Sequence, residues 1–212
     1  MDEQRGHPTS AGTVGFACLA MLVSYLPFSA ANGALGAIAA TTGAHTSDLQ
    51  WVTDSFAVAL AATVLSAGVL GDLYGRRRMT LLGLGLTGVG TALDVLAGVT
   101  NAVPLLWLGQ ALAGVGGGLV MATSSTVAVR SVPGPLAGMA AAGNNAMRQI
   151  GAALGPAVLG ARTGTGLVGA LHVTAALLAV VFATAAATAA LLLRPSSARS
   201  TIAMTTVEGT TT

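Results

Sequence analysis

Two charged residues lie inside long apolar stretches of this sequence and are the strongest candidates for chemistry. Asp94 is the only acidic residue well within such a stretch, and Arg148 lies within another. Burying a charge at membrane depth is costly, so such residues usually bind a substrate or ion, or carry protons. Each also has a simpler explanation, because Asp94 lies towards one end of its stretch and the long Arg148 side chain can extend to the membrane surface. We name both as candidate substrate or proton sites.

A short polar loop between two apolar stretches carries the sharpest motif. Gly75 permits the backbone angles of a tight turn, and Asp72 can pair locally or face the positive end of another helix. A basic loop that only sets membrane topology would explain the arginines, but it would not require glycines and an aspartate at these spacings. The motif residues are Gly68, Leu70, Asp72, Gly75, Arg76 and Arg77.

The sequence does not support an enzyme, a cofactor site, a metal site or a nucleic-acid site. Cys18 is the only cysteine, which excludes an intrachain disulfide and a cysteine-based metal site. No Ser-His-Asp order or metal-ligand cluster is present, and the glycine-rich run at 114–118 lies in an apolar stretch with no strand before it, unlike a dinucleotide-binding loop. The basic residues are arginines, mostly scattered, and form no patch for nucleic acid.

The composition indicates a membrane protein. Of the 212 residues, 53% are hydrophobic and 8% are charged, whereas soluble domains carry about 25% charged residues. A helix needs about 20 apolar residues to cross the hydrocarbon core. Windows of that length predict an all-α bundle of about six transmembrane helices in a single domain, 11–194, flanked by disordered tails at 1–10 and 195–212. The predicted spans are 13–36, 51–71, 79–99, 104–128, 138–160 and 167–193.

Small residues inside these spans predict close helix packing. Membrane helices associate where small side chains allow their backbones to approach. The residues that we assign to packing are Gly114, Gly116, Gly118, Gly151, Gly155 and Pro156.

The arginines predict the orientation of the chain. With a cytoplasmic N-terminus, six spans leave only Arg162 on the opposite side, and cytoplasmic loops are enriched in Lys and Arg. We therefore expect a multi-pass protein of the cell membrane with both termini in the cytoplasm. The cytoplasmic arginines are then Arg5, Arg76, Arg77, Arg78, Arg130, Arg194 and Arg199.

The polar loop resembles the signature G-x-L-x-D-x-x-G-R-[RK] of the major facilitator superfamily. The stretch 49–52, Leu-Gln-Trp-Val, resembles the start of the second helix in its fourteen-helix drug–proton antiporter branch. The resemblance implies a multidrug-efflux transporter that exchanges small hydrophobic or cationic compounds for protons, as in antibiotic resistance. It implies a loop that acts as a conformational latch, no cofactor, and the lipid bilayer, a small-molecule substrate and protons as partners.

Two positions depart from that family pattern. In the first helix Asn32 fits, but Pro27 stands where family members usually carry an acidic residue. In the fourth helix, aligned on Gly114, Gln110 stands where the family carries an arginine tied to proton coupling. The alternative is that this stretch is not the family's fourth helix at all. Asn32 and Gln110 join Asp94 and Arg148 as candidate substrate or proton residues, and Pro27 is expected to kink its helix.

The second half of the chain resembles a different part of the same family. Residues 143–160, with Asn144, Arg148 and Gln149, resemble the penultimate helix of fourteen-helix members. Residues 1–99 thus resemble the beginning of the family and about 105–194 its end. Gly155 and Pro156 could instead match the family's fifth-helix motif, but the Asn and Arg-Gln residues before them do not belong to it. Two further interpretations follow: a shortened relative that does not transport, or a half-size transporter that is active only as a homo-oligomer.

Overall fold

A computed structural model of the 212-residue chain describes residues 8–160. These residues form five α-helices and a single 3-10 turn, with no β-strand among them, which confirms the all-α prediction. The elements are α1 (Pro8–Thr42), α2 (Thr46–Tyr74), α3 (Arg76–Thr100), α4 (Val103–Arg130), the 3-10 turn (Gly134–Leu136) and α5 (Ala137–Gly160).

The helices extend beyond the apolar windows that predicted them. Residues 8–10, which the sequence assigned to a tail, belong to α1, because a helix can continue past the apolar segment into polar residues. The α1 helix continues without a break through Pro27, the residue at which the sequence predicted a kink. The predicted sixth span, 167–193, and the tail 195–212 lie outside the described residues.

Four of the described helices, α1 to α4, are long and apolar enough to cross a membrane. The fifth is less apolar but has 24 residues and lies along α1. The Ser29 hydroxyl donates to the Ala152 carbonyl, and a Cβ at Gly151 would collide with the Leu22 carbonyl. The described part of the chain is therefore a multi-pass helical bundle, since α5 packs at the same depth as a spanning helix.

The bundle is organised around α4, which contacts all four other helices. Glycines of α4 occupy the points where this helix crosses α2 and α3. A Cβ at Gly114 would collide with the Phe56 carbonyl of α2, and one at Gly116 would collide with the Gly83 carbonyl of α3. A Cβ at Gly118 would lie 2.8 Å from Thr63 Cβ on α2. Gly114 and Gly116 need to be glycine because backbone, which cannot move aside cheaply, fills the space, and at Gly118 the fixed Cβ of Thr63 does so.

Polar residues mark the connections between helices. The backbone N–H of His45 donates to the Asp48 carboxylate at 3.1 Å, which satisfies a donor at the start of α2. Trp107 Nε1 donates to the Asp48 carbonyl at 3.0 Å. We call this end of the bundle, where α1 ends and α4 begins, the Trp107 end. The opposite end, where Gly75 separates α2 from α3, is the Gly75 end.

Candidate functional site

An acid–amide pair joins α3 to α4 inside the bundle. Gln110 Nε2 donates to Asp94 Oδ2 at 2.7 Å. Gln110 is completely buried. Asp94 is half-buried as a residue, but its Oδ1 is shielded from solvent. The structure thus brings together two of the residues that the sequence named as separate candidates.

Two glycines allow this pair to form. A Cβ at Gly90 would lie 2.5 Å from the Gly109 carbonyl oxygen, so the backbones of α3 and α4 are nearly in contact. A Cβ at Gly109 would collide with Asp94 Oδ1. The carboxyl group therefore occupies the space that a side chain at position 109 would fill.

Two oxygens of the pair have no hydrogen-bond partner among the described residues. They are Asp94 Oδ1 and Gln110 Oε1, and both are buried. An ionised carboxylate only accepts hydrogen bonds, whereas a protonated carboxyl group also has an O–H to donate. The pair is therefore suited to bind a proton, which would add the donor that these two acceptors lack.

The pair lies within the bundle, at some distance from the Trp107 end. Asp94 is six residues before Thr100, the last residue of α3, which is about 9 Å along the helix axis. Between the pair and that end, an apolar cluster draws residues from α1, α2, α3 and α4. The cluster comprises Val52, Ala97 and Leu106 with Leu35, Ile38, Leu105 and Trp107. The Asp94 carboxyl group is thus covered on that side by apolar side chains.

The loop motif forms the turn at the Gly75 end. Gly75 has φ +87° and ψ 131°, a conformation that side chains disfavour. Across this turn, Arg76 Nη2 and Asp72 Oδ1 form an ion pair of 2.8 Å. Arg76 is the first residue of α3, so the pair connects the end of α2 to the beginning of α3.

The other motif residues differ in their surroundings. Leu70 packs beside a small core of Ala67, Met79 and Leu119. Gly68 faces open space, and Arg77 is half-buried. Next to the motif, the hydroxyl groups of Thr80 and Thr123 are hydrogen-bonded at 2.9 Å and buried between α3 and α4.

A sequence match to a family model shows which proteins are related to this chain. The model described as Major Facilitator Superfamily matches residues 17–207. This chain belongs to the Major Facilitator Superfamily. Members of this superfamily are transporters rather than enzymes.

Individual relatives in the superfamily are distant and much longer. Multidrug resistance protein Stp of Mycobacterium tuberculosis is 30% identical over 115 residues, which is 54% of this chain and 21% of Stp. Multidrug resistance protein 3 of Bacillus subtilis is 32% identical over 143 residues, 68% of this chain and 27% of the relative. Riboflavin transporter RibZ of Clostridioides difficile is 29% identical over 143 residues, 68% of this chain and 31% of RibZ. This superfamily chain therefore spans about a fifth to a third of the length of these relatives.

Arg148 lies apart from the acid–amide pair. Its Nε and Nη2 both donate to Asn145 Oδ1, at 3.1 and 3.0 Å. Its guanidinium carbon lies 5.2 Å from the centroid of the Tyr25 ring on α1. No ion pair or hydrogen bond within residues 8–160 links Arg148 to Asp94.

Asn32 makes a local contact only. Its Nδ2 donates to the Phe28 carbonyl one turn earlier in α1, at 3.0 Å. Gly155 and Pro156 also meet α1, since a Cβ at Gly33 would lie 3.0 Å from Pro156 Cα. Asn32 therefore belongs to neither polar site in the described part of the superfamily bundle.

Sequence reasoning missed three features of these sites. It did not name Gly90 and Gly109, although a glycine four residues before Asp94 and another beside Gln110 are visible in the sequence. It did not name Tyr25, which is buried beneath Arg148. It also gave no role to Asn144, whose Nδ2 donates to Ser125 Oγ at 3.0 Å between α5 and α4. Each of these features is a contact between two helices. A sequence pattern within one helix does not show which residue of another helix lies opposite.

Proposed function

We propose that this chain works in the proton-coupled efflux of small hydrophobic or cationic compounds across the plasma membrane. The observation that carries the proposal is the buried pair of Asp94 and Gln110, which joins two helices at membrane depth. A transporter driven by protons needs a group that gains and loses a proton while shielded from bulk water, and a carboxyl group inside a helical bundle meets that requirement. The names of the multidrug relatives agree with this kind of transport.

Proton loss at Asp94 would change the energetics of the α3–α4 contact. An ionised carboxylate would keep one donor, Gln110 Nε2, and leave Oδ1 unsatisfied against the backbone of Gly109. An uncompensated buried charge is strongly unfavourable. Deprotonation would therefore favour a state in which α3 and α4 separate and water reaches the carboxylate. Protonation would favour the closed contact.

The Gly75 end supplies a second element of the proposed cycle. We assign the Asp72–Arg76 ion pair to a latch at the cytoplasmic surface, as the family resemblance implies. Both partners lie at the turn, and the Asp72 side chain is 64% exposed, so the pair is able to open or exchange partners. Arg130, at the end of α4, is also within electrostatic range of Asp72. Placing this end in the cytoplasm is supported by the arginines at 76, 77, 78 and 130 and the positive-inside rule.

Transport requires a second bundle besides the one described. Transporters of this fold move substrate through a path between two helical halves that rock against each other. Residues 8–160 form one bundle. We propose that a second copy of the chain completes the path, so that a monomer does not export compounds. The alternative, a relative that does not transport, makes the same prediction for the monomer but not for the oligomer.

Transport by purified protein in liposomes tests the proposal. Ethidium movement is followed after a proton gradient is imposed, and crosslinking scores the oligomeric state in the same vesicles. We expect gradient-dependent movement only in vesicles that contain oligomers, and its loss in Asp94→Asn. Asp54→Asn is the matched control, because it neutralises an aspartate of α2 that lies outside both polar sites.

Three outcomes would count against the proposal. Undiminished ethidium movement by Asp94→Asn would exclude Asp94 as the proton site. Movement by protein shown to be monomeric would exclude the need for a second copy. No movement by oligomers, with any of several cationic, neutral and anionic dyes, would favour the relative that does not transport.

A further inference from the structure

Arg148 is a half-buried cation midway along α5, and no carboxylate forms an ion pair with it within the described residues. It is the twelfth residue of the 24-residue α5. Its guanidinium lies over Tyr25, the eighteenth residue of the 35-residue α1. The ion pair between Asp72 and Arg76 lies far from Arg148, at the Gly75 end. Contacts at mid-helix on both partners argue against a side chain that merely extends to the membrane surface.

The groups around Arg148 compensate its charge only in part. Two of its N–H groups share a single acceptor, Asn145 Oδ1. The ring face of Tyr25 attracts the cation, which contributes about 0.5–2 kcal/mol in general. A guanidinium has five N–H donors and pairs best with the two oxygens of a carboxylate. The site therefore has donors to offer to an anion.

Aromatic rings continue from Tyr25 into the bundle. Tyr25 packs edge-on against Phe56 of α2, with centroids 6.0 Å apart. Phe28 stacks on Phe56 at 4.2 Å with an angle of 18° between the planes. Aromatic residues make up only 4% of the chain, so two rings that both pack on Phe56, beside the half-buried Arg148, form a distinctive surface. The ring cluster of Tyr25, Phe28 and Phe56 is completed by Met121 of α4, whose sulfur lies 3.8 Å from the Tyr25 hydroxyl.

We propose that Arg148 and the ring cluster bind a planar aromatic acid. The acid group accepts hydrogen bonds from the Arg148 guanidinium, and the ring system packs on the half-buried Phe28. This inference rests on the proposed transport function and narrows its hydrophobic substrates to those that carry an anionic group. Cations are disfavoured at this site because Arg148 repels them, so a cationic substrate would have to bind elsewhere.

Binding of naphthalene derivatives to the unmodified full-length protein tests the charge preference. The probes are 1-naphthoate, the neutral 1-naphthamide and the cationic 1-naphthylmethylamine, measured by equilibrium dialysis in nanodiscs without a proton gradient. We expect naphthoate to bind at least about tenfold more tightly than the amide. A charge-assisted hydrogen bond is roughly twice as strong as a neutral one, and a difference of that size corresponds to about tenfold in affinity. The cation should bind most weakly. Equal affinities for the three probes would overturn the proposal.

Variants locate the site. Arg148→Gln should weaken naphthoate binding by about tenfold and leave naphthamide binding unchanged, and Arg148→Lys should fall between the two because it keeps the charge but not the planar fork. Arg78→Gln removes an exposed cation at the start of α3 and should bind naphthoate as the parent does. Unchanged naphthoate binding by Arg148→Gln would show that the acid binds elsewhere.

The experiment separates this inference from the transport proposal. Binding is measured without a gradient, so naphthoate binding at Arg148 without any dye movement in liposomes would contradict efflux alone. Ethidium movement without a preference for naphthoate would contradict the aromatic-acid site alone. If Arg148→Gln does not give a homogeneous preparation, the comparison of the three probes on the unmodified protein still decides the question.

Discussion

The carboxyl group of Asp94 lies against the backbone of Gly109, in the space that any larger residue at position 109 would need. The same glycine brings α4 close to Gly90 of α3. A buried hydrogen bond from Gln110 then holds the carboxyl group in place. The proposed proton site thus depends on a residue that has no side chain.

Adding a single methyl group at this crossing should disrupt the site. We expect Gly109→Ala to lower the free energy of unfolding by about 1–3 kcal/mol, because the new Cβ must displace the Asp94 carboxyl group or separate the helices. Gly85→Ala is the control, since no atom beyond its chain neighbours and the adjacent backbone of α3 lies within 4 Å of the Cβ it would add. The control should be neutral or stabilising by up to about 1 kcal/mol. Unfolding in mixed micelles measures both, and equal stabilities of the two variants would contradict the tight crossing.

The energies of Asp94 and Gln110 should be coupled. In a double-mutant cycle of Asp94→Ala and Gln110→Ala, we expect a coupling energy of about 0.5–3 kcal/mol, because each single variant leaves a buried polar partner unsatisfied. The free energy of unfolding of the four proteins gives this value. A cycle of Asp54→Ala with Gln110→Ala is the control and should be additive. Additivity in the Asp94 cycle would mean that the hydrogen bond contributes nothing to stability.

Asp72 should affect transport more than folding. Its ion pair with Arg76 is exposed at the turn, and exposed ion pairs contribute little to stability. We therefore expect Asp72→Asn to insert into the membrane and unfold like the parent, but to move ethidium more slowly at matched expression. Asp72→Glu keeps the charge and should retain part of the rate. Full transport by Asp72→Asn would refute the latch.

The arginine distribution predicts the topology of the chain. Reporter domains fused after Arg78, Asn101, Arg130, Arg162 and Arg199 should report inside, outside, inside, outside and inside, respectively. Cytoplasmic loops are enriched in arginine, and the structure places residues 78 and 130 at the same end of the bundle. A fusion after Arg78 or Arg199 that reports outside would overturn the orientation.

Much of the fold follows from local features of the sequence. Long uncharged windows predicted the helices, and within residues 8–160 the structure has a helix at each of the five predicted spans. The turn at Gly75 was predicted from glycine between an aspartate and a run of arginines, and its positive φ explains the choice of residue. These features are local because hydropathy and backbone preference act over a few turns of helix.

The sequence alone also identified the superfamily loop and the two unusual charges, Asp94 and Arg148. Only the tertiary structure decided which residues surround them. Asp94 pairs with Gln110 because Gly90 and Gly109 let two backbones meet, and Arg148 lies over Tyr25 because α5 packs along α1. The reason is physical: apolar windows fix that a segment spans the membrane, but small residues fix where two spans touch. The rotation and register of each helix then determine which polar side chains share the interior.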